Sequence, residues 1–298
     1  MDHDTQQHIV EGRKTFFIVP DVSLLPETYL EDFMTRGYEA YIIGDDRSCP
    51  LTKKVEIIME TFPDSIFFFY IDARIEGIDW SIYIRNLQEQ HSENALIGVL
   101  YAKRAEENQK KALEKYFLFD VGIQCGCISL EYQKSKNFAL IEKVLFANQA
   151  SGRRQNVRAI CDSNSKVSFQ TAYGISDGII LDVSMSHFSC VFNMPPKIKL
   201  YEKISRAMLN INGVHFVTDA ILFMTRPVDG RDLFIFVFAN SAGGQGLDPD
   251  AKERLSKKIY TMISEKVKKL MQEKFTEARN KMAMNSNPYS RTYSASDF

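Results

Sequence analysis

The stretch Asn148-Gln-Ala-Ser-Gly-Arg-Arg-Gln-Asn-Val-Arg-Ala-Ile-Cys-Asp162 separates two parts of the chain that are patterned differently. Its first half is polar and contains a glycine, which is typical of a segment that joins two domains. At 298 residues the chain is also about twice as long as a usual domain, so that two separate cores are expected. We therefore predict a domain boundary here, with a linker over residues 149–157.

Upstream of this boundary, residues 15–148 alternate short β-rich apolar runs with helical patterns. Such alternation predicts parallel strands joined by crossover helices. Strands are expected at Thr15–Val19, Ala40–Ile43, Ser65–Ile71, Ala95–Tyr101 and Val121–Leu130, and helices at Pro26–Arg36, Leu51–Thr61, Trp80–Gln90, Glu106–Phe119 and Lys136–Ala147. The first half is thus predicted to be an α/β domain with a five-stranded parallel sheet, preceded by a flexible segment over residues 1–14.

Downstream of the boundary, residues 158–245 contain short apolar runs separated by turn residues and lack a long helical period. Many short strands at such spacing indicate a small antiparallel barrel. Residues 246–284 then return to a helical pattern. Their apolar residues fall at intervals of three and four, at Leu255, Ile259, Met262, Ile263, Val267, Leu270 and Met271. This spacing predicts an amphipathic C-terminal helix, followed by a disordered tail over residues 285–298.

The composition excludes several classes of protein. Hydrophobic residues make up 45% and charged residues 25% of the chain, which are ordinary globular values. With 37 basic and 38 acidic side chains, any anionic ligand must be bound by a local patch. The 5 cysteines are scattered, the first residues do not resemble a signal peptide, and no apolar run is long enough to span a bilayer. We therefore expect a cytoplasmic protein without a transmembrane segment.

The residues most informative about function lie at the boundary and in the barrel. Arg154 and Arg158 are four residues apart, with Arg153 beside them. On an extended backbone they point the same way at a spacing of about 13 Å, and guanidinium groups bind phosphate oxygens and the O6/N7 edge of guanine. Asp182 and Ser184 share one face of a strand, where a carboxylate and a hydroxyl can hold the N1–H and the amine of a guanine.

This arrangement resembles the PilZ family of cyclic di-GMP receptors, in which an R-x-x-x-R motif precedes a six-stranded barrel that carries a [D/N]-x-S-x-x-G motif. The first motif reads Arg154-Gln-Asn-Val-Arg158 and the second reads Asp182-Val-Ser-Met-Ser-His187. The resemblance covers about residues 152–240. It implies an antiparallel six-stranded PilZ barrel with a trailing helix. It also implies that Arg154 and Arg158 bind the phosphates and guanine edges of cyclic di-GMP, with an added contact from Arg153. Asp182 and Ser184 would then read the base.

One position departs from the family pattern, because His187 stands where the motif has glycine. Glycine allows a positive φ or a close approach of the ligand to the backbone, whereas histidine adds a ring. His187 is expected either to stack on a base or to obstruct it, with an ordinary turn residue as the simpler alternative. The affinity and the stoichiometry of the ligand therefore stay open.

The first half looks like a receiver domain, with Asp72 at the end of the third strand. The further carboxylates and the lysine that phosphoryl transfer requires are missing, so a degenerate receiver-like domain with a role in protein contact is expected. The first strand is followed by no glycine-rich loop, and the 5 histidines are dispersed. We therefore predict no enzymatic activity and no cofactor.

Together these features predict a cyclic di-GMP-binding effector that acts by changing its domain arrangement or by binding an unidentified downstream protein. The family resemblance implies an output in motility, surface behaviour or virulence. The alternative is a PilZ-like scaffold, or a nucleic-acid-binding protein, that does not bind cyclic di-GMP. In that case the lysines of the C-terminal helix favour nucleic acid, although the glutamates among them reduce the net positive charge. These lysines are Lys257, Lys258, Lys266, Lys268, Lys269 and Lys274.

Overall fold

The structure, a computed structural model, describes residues 12–46, 48–102, 106–151, 156–228 and 230–285. In the first half the elements are β1 (Thr15–Ile18), α1 (Thr28–Thr35), β2 (Ala40–Ile43), α2 (Leu51–Thr61), β3 (Ser65–Tyr70), α3 (Trp80–His91), β4 (Ala95–Ala102), α4 (Glu107–Lys115), a π-helical turn (Tyr116–Val121), β5 (Cys127–Leu130) and α5 (Lys134–Ala147). In the second half they are β6 (Ala159–Ile160), β7 (Lys166–Thr171), β8 (Gly174–Val183), β9 (His187–Phe192), β10 (Lys203–Ile211), β11 (Val214–Val228), β12 (Arg231–Ala239) and α6 (Pro249–Asn285).

The first half is a doubly wound α/β domain, as predicted. Its 5 strands are parallel in the order β2-β1-β3-β4-β5. Helices α1 and α5 cover one face and α2 and α3 cover the other, so the central strand β3, Ser-Ile-Phe-Phe-Phe-Tyr, is buried along its whole length. Continuous apolar runs of this kind suit a sheet whose two faces are both covered.

Two boundaries in this domain differ markedly from the prediction, whereas the others agree with it to within two residues. The fifth strand begins at Cys127, not at Val121, because Gly122 and Gly126 both adopt positive φ angles, of 79° and 74°, which interrupt an extended strand. The helix predicted to reach Phe119 keeps α-helical geometry only to Lys115 and continues as the π-helical turn. The apolar run 116–130 therefore divides into a wider helical turn, a loop and a short strand.

The second half forms a closed antiparallel barrel, as predicted. Six strands follow one another in the order β8-β7-β10-β11-β12-β9, and β9 pairs back onto β8 to close the barrel. The short strand β6 adds to β8 from outside this ring. The interior is filled by aromatic rings, such as Phe188 stacked on Phe236 at 5.2 Å between centroids. Because the ring of six strands is closed, it has no exposed sheet edge along its length, and β6 pairs with the end of β8.

Helix α6 packs against both halves of the protein. In its first part Leu255 and Ile259 belong to the barrel core, and further along Val267, Met271 and Phe275 belong to the core beside α2 and α3. The apolar stripe predicted from the sequence is thus used within the molecule. No helix among the described residues is both long enough and apolar enough to cross a lipid bilayer.

Candidate functional site

A cavity of about 450 Å³ lies where the α/β domain, the linker, the barrel and α6 meet, and we call it the interdomain cavity. Its lining comes from three parts of the chain. The α/β domain contributes Lys14, Gly37, Glu39 and Phe62; the linker and barrel contribute Ser151, Asn156, Val157, Arg158, Ala159, Ile160 and Asp182; and α6 contributes Met262, Ile263, Lys266, Val267 and Leu270. The volume falls within the range of about 300–1,000 Å³ that is usual for small-molecule sites.

Arg158 lies directly before β6 and lines this cavity. The guanidinium group is partly buried and forms no ion pair or side-chain hydrogen bond within the part of the chain that the structure describes. A cation in this state keeps its full capacity to bind an anion. Arg153 and Arg154, the other two predicted phosphate ligands, lie outside the described residues.

Asp182 lines the same cavity from β8. Strand β6 holds it on one side through the pair Ile160–Asp182, and β9 on the other through Asp182–Ser189. Its Oδ2 accepts a hydrogen bond of 2.5 Å from the hydroxyl of Ser189. Its Oδ1 is buried and has no hydrogen-bond partner among the described residues. Since a buried acceptor without a partner is costly, Oδ1 has unused capacity to accept a hydrogen bond.

Ser184 and His187 form the hairpin turn that joins β8 to β9. The amide of Ser184 donates to the carbonyl of His187 at 2.8 Å, and the amide of His187 donates to Ser184 Oγ at 3.2 Å. Ser184 Oγ also lies 3.0 Å from His187 Nδ1. Ser184 is completely buried and is not part of the cavity lining, so in this structure its hydroxyl stabilises the turn and does not face the predicted ligand site.

His187 occupies the motif glycine position without backbone strain, because it is not one of the residues with positive φ. Its ring packs over the turn, where Nδ1 lies 2.9 Å from Ser186 Oγ. Ser186 Oγ in turn accepts a long hydrogen bond of 3.4 Å from the side-chain amide of Asn156 in the linker. Sequence reasoning missed this contact, which joins the segment containing the first motif to the turn containing the second.

The cavity also holds an ion pair that the sequence did not reveal. Lys14 Nζ lies 2.8 Å from Glu39 Oε1, on the edge of the α/β domain that faces the barrel. The carboxylate of Glu39 also accepts a hydrogen bond from the hydroxyl of Tyr41. Burial, and to a smaller extent this carboxylate, raises the pKa of Tyr41 well above its ordinary value. The pair is therefore neutral overall and fixed in place.

Asp72, at the end of the third strand, and Asp21, after the first strand, both have structural partners. Asp72 Oδ2 accepts a hydrogen bond of 2.7 Å from the amide of Ala102, and Asp21 Oδ1 accepts bonds from the amide and hydroxyl of Ser23 at 2.8 Å and 2.6 Å. Within the described ranges, no three His, Cys, Asp or Glu side chains come together as a metal site. These contacts tie down the loops at the end of the sheet.

No family model matches the sequence, and no curated protein matches it either. Among solved structures, the chain is similar to YcgR from Escherichia coli in complex with c-di-GMP, at 16% identity and a TM-score of 0.35, covering 40% of this chain and 49% of that one. It is similar to the MrkH–c-di-GMP complex of K. pneumonia at 15% identity and a TM-score of 0.34, covering 39% and 55%.

A third similar structure is the Bacillus subtilis inhibitor of motility, MotI/DgrA, at 14% identity and a TM-score of 0.30, covering 39% of this chain and 52% of that one. The chain thus spans about half the length of each of these full proteins. The isolated PilZ domain of YcgR is covered over 97% of its length, at 16% identity and a TM-score of 0.34. Each of these matches covers about 40% of the chain.

Proposed function

We propose that this protein is a cyclic di-GMP effector of the PilZ type that binds its ligand in the interdomain cavity. The observation that carries the proposal is the presence, in one cavity, of Arg158 from the first motif and Asp182 from the second. The two are 24 positions apart in sequence, and β6 pairing with β8 brings them together. A phosphate-binding cation and a hydrogen-bond acceptor for a base are the two functions that a guanine nucleotide requires.

The proposed contacts follow from the chemistry of each group. Arg158, together with Arg153 and Arg154, binds the phosphates and the O6/N7 edge of a guanine. Asp182 Oδ1 accepts from the N1–H and the exocyclic amine of a guanine, which satisfies its unused acceptor capacity. Ser184 and His187 act from the turn, where they hold the end of β8 and, with it, the direction of Asp182.

The cavity site also supports the proposed mode of action. Its lining includes both domains and α6, so that a ligand contacts all three at once. A ligand can shift an arrangement of domains only if it contacts the alternatives differently, and a site between domains has this property. We propose that binding, without catalysis, changes the domain arrangement in the cytoplasm and that a downstream protein responds to it, in motility, surface behaviour or virulence.

Calorimetric titration with cyclic di-GMP tests the binding step. The intact chain should bind saturably, and Arg158→Ala should lose about 10- to 100-fold in affinity, as expected when a hydrogen bond to a charged group is removed. Arg226→Ala is the matched control, because Arg226 is an exposed arginine of β11 that does not line the cavity. No binding by the intact chain, or equal affinity in Arg158→Ala, would disprove the proposal.

Cyclic di-AMP serves as the matched control ligand. It has the same phosphates and ribose rings, but the N1 of adenine carries no hydrogen and so cannot donate to Asp182. Weaker binding of cyclic di-AMP than of cyclic di-GMP, with the preference reduced in Asp182→Asn, is expected if Asp182 reads the base. Equal affinity for the two dinucleotides would contradict that role.

A further inference from the structure

Lys266 lies on α6 at the point where the helix passes from one domain to the other. Just before it, Met262 and Ile263 pack against the barrel core, and directly after it Val267 is buried in the core of the α/β domain. Lys266 itself is exposed and lines the interdomain cavity. It is therefore the cation of α6 that is placed where the two domains and the cavity meet.

The charges around the cavity show what Lys266 can do. Five charged side chains line the cavity. Lys14 is neutralised by Glu39 at 2.8 Å, Asp182 accepts a hydrogen bond from Ser189, and Arg158 and Lys266 make no ion pair with any described residue. The positive charge that remains available thus comes from two side chains on different elements, one before β6 and one on α6. Two separate cations around one cavity suit a ligand that carries two separate anionic groups.

We propose that Lys266 binds a phosphate of the bound dinucleotide, and that the ligand thereby holds α6 in its position across both domains. This inference rests on the proposed function and adds to it a binding residue outside both sequence motifs. It also assigns a structural consequence to binding. A ligand that contacts Arg158 and Lys266 together connects the barrel to the helix segment that packs on the α/β domain.

The same helix offers a close control. Lys269 is an exposed lysine three residues further along α6 and does not line the interdomain cavity. Lys266→Gln and Lys269→Gln remove the same charge from the same helix, and neither removes a buried group. Both variants should therefore fold as the unchanged protein does, which circular dichroism and thermal melting verify.

Calorimetry and hydrogen exchange of the full chain with cyclic di-GMP test the inference. Lys266→Gln should weaken binding about 10-fold or more, Lys269→Gln should leave it within about 2-fold, and Lys266→Arg should retain most of it because the charge is kept. In the unchanged protein, saturating cyclic di-GMP should slow amide exchange over residues 262–275. In Lys266→Gln, saturated with ligand, this slowing should be lost.

The outcomes separate the two proposals. If Arg158→Ala binds more weakly than the unchanged chain, while Lys266→Gln binds and protects α6 as the unchanged chain does, the role of Lys266 is wrong and the proposed function stands. An effect of Lys269→Gln as large as that of Lys266→Gln would also overturn it, because it would show only a general attraction to the basic helix. If the unchanged chain does not bind cyclic di-GMP, both proposals fall.

Discussion

Replacing Leu255 with alanine tests whether α6 makes the two domains unfold as one. Leu255 is completely buried in the barrel core, where a Leu→Ala change leaves a cavity and costs about 3 kcal/mol. For a protein that loses about 3 kcal/mol of stability per molar urea, this cost lowers the midpoint of unfolding by about 1 M urea. The prediction concerns whether this loss of stability affects the α/β domain as well as the barrel.

Trp80 provides the assay, because it is the only tryptophan in the chain and is buried in the α/β domain. Its fluorescence reports unfolding of that domain alone, whereas far-ultraviolet circular dichroism reports both halves. Since α6 is part of both cores, we expect Leu255→Ala in the barrel to lower the Trp80 midpoint by about the same 1 M urea, with both signals changing together.

The control is Leu140→Ala on α5, which makes the same chemical change at a side chain that is 42% exposed. It should shift the midpoint by less than about 0.3 M urea, since less apolar surface is lost. If Leu255→Ala instead produces an early transition by circular dichroism while the Trp80 midpoint stays where it was, the two domains unfold independently. The coupling that we derive from α6 would then be wrong.

Three further predictions concern packing, charge and thiol chemistry. Gly98→Ala should destabilise the α/β domain by about 1–3 kcal/mol, because a Cβ at Gly98 would lie 2.6 Å from Phe68 Cε1 and 2.9 Å from Cys125 Cβ; an unchanged melting temperature would contradict this. The carboxylate of Asp46 accepts hydrogen bonds from Lys54 and Ser48, which lower its pKa from 3.8 to about 2. The contribution of the ionised carboxylate to stability should therefore be complete above pH 3.8 and be lost as the pH falls through about 2. An NMR titration should show this low pKa, and in Lys54→Met it should rise towards 3.8. Burial raises the pKa values of Cys125, Cys127 and Cys161 to about 12. These thiols should therefore react with iodoacetamide at pH 8 only after denaturation, and rapid alkylation of the native protein would show that they are more accessible than the structure indicates.

Much of the fold could be predicted because local sequence patterns agree with the final structure. The second helix, Leu51–Thr61, begins after a proline and carries a clear apolar face, and its predicted bounds are those observed. The fifth strand was predicted too long because an apolar run such as 121–130 indicates burial without indicating backbone geometry. Only the positive φ angles of Gly122 and Gly126 decide where the strand begins, and glycine permits these angles without requiring them.

The candidate site was only partly accessible to sequence reasoning. The spacing of the motifs identified Arg158 and Asp182, which the structure brings into one cavity. It did not show that the hydroxyl of Ser184 is used by the hairpin turn, because that depends on how β8 and β9 meet. Nor could the periodicity of α6 show what the helix packs against, since an apolar stripe looks the same whether it faces one core or two.

The position of Asp182 also connects the site to the topology of the barrel. Strands β8 and β9 form the seam at which the ring of strands closes, and their register shifts between Ile180 and Asp182. A circular permutation with new chain ends in the turn at 184–186 would open this seam and release Asp182 from Ser189. New ends at Asn212 and Gly213, in the hairpin between β10 and β11, would leave the seam covalently intact. The order in which the strands are connected, and not only their packing, is therefore part of what holds the proposed base-reading carboxylate in place.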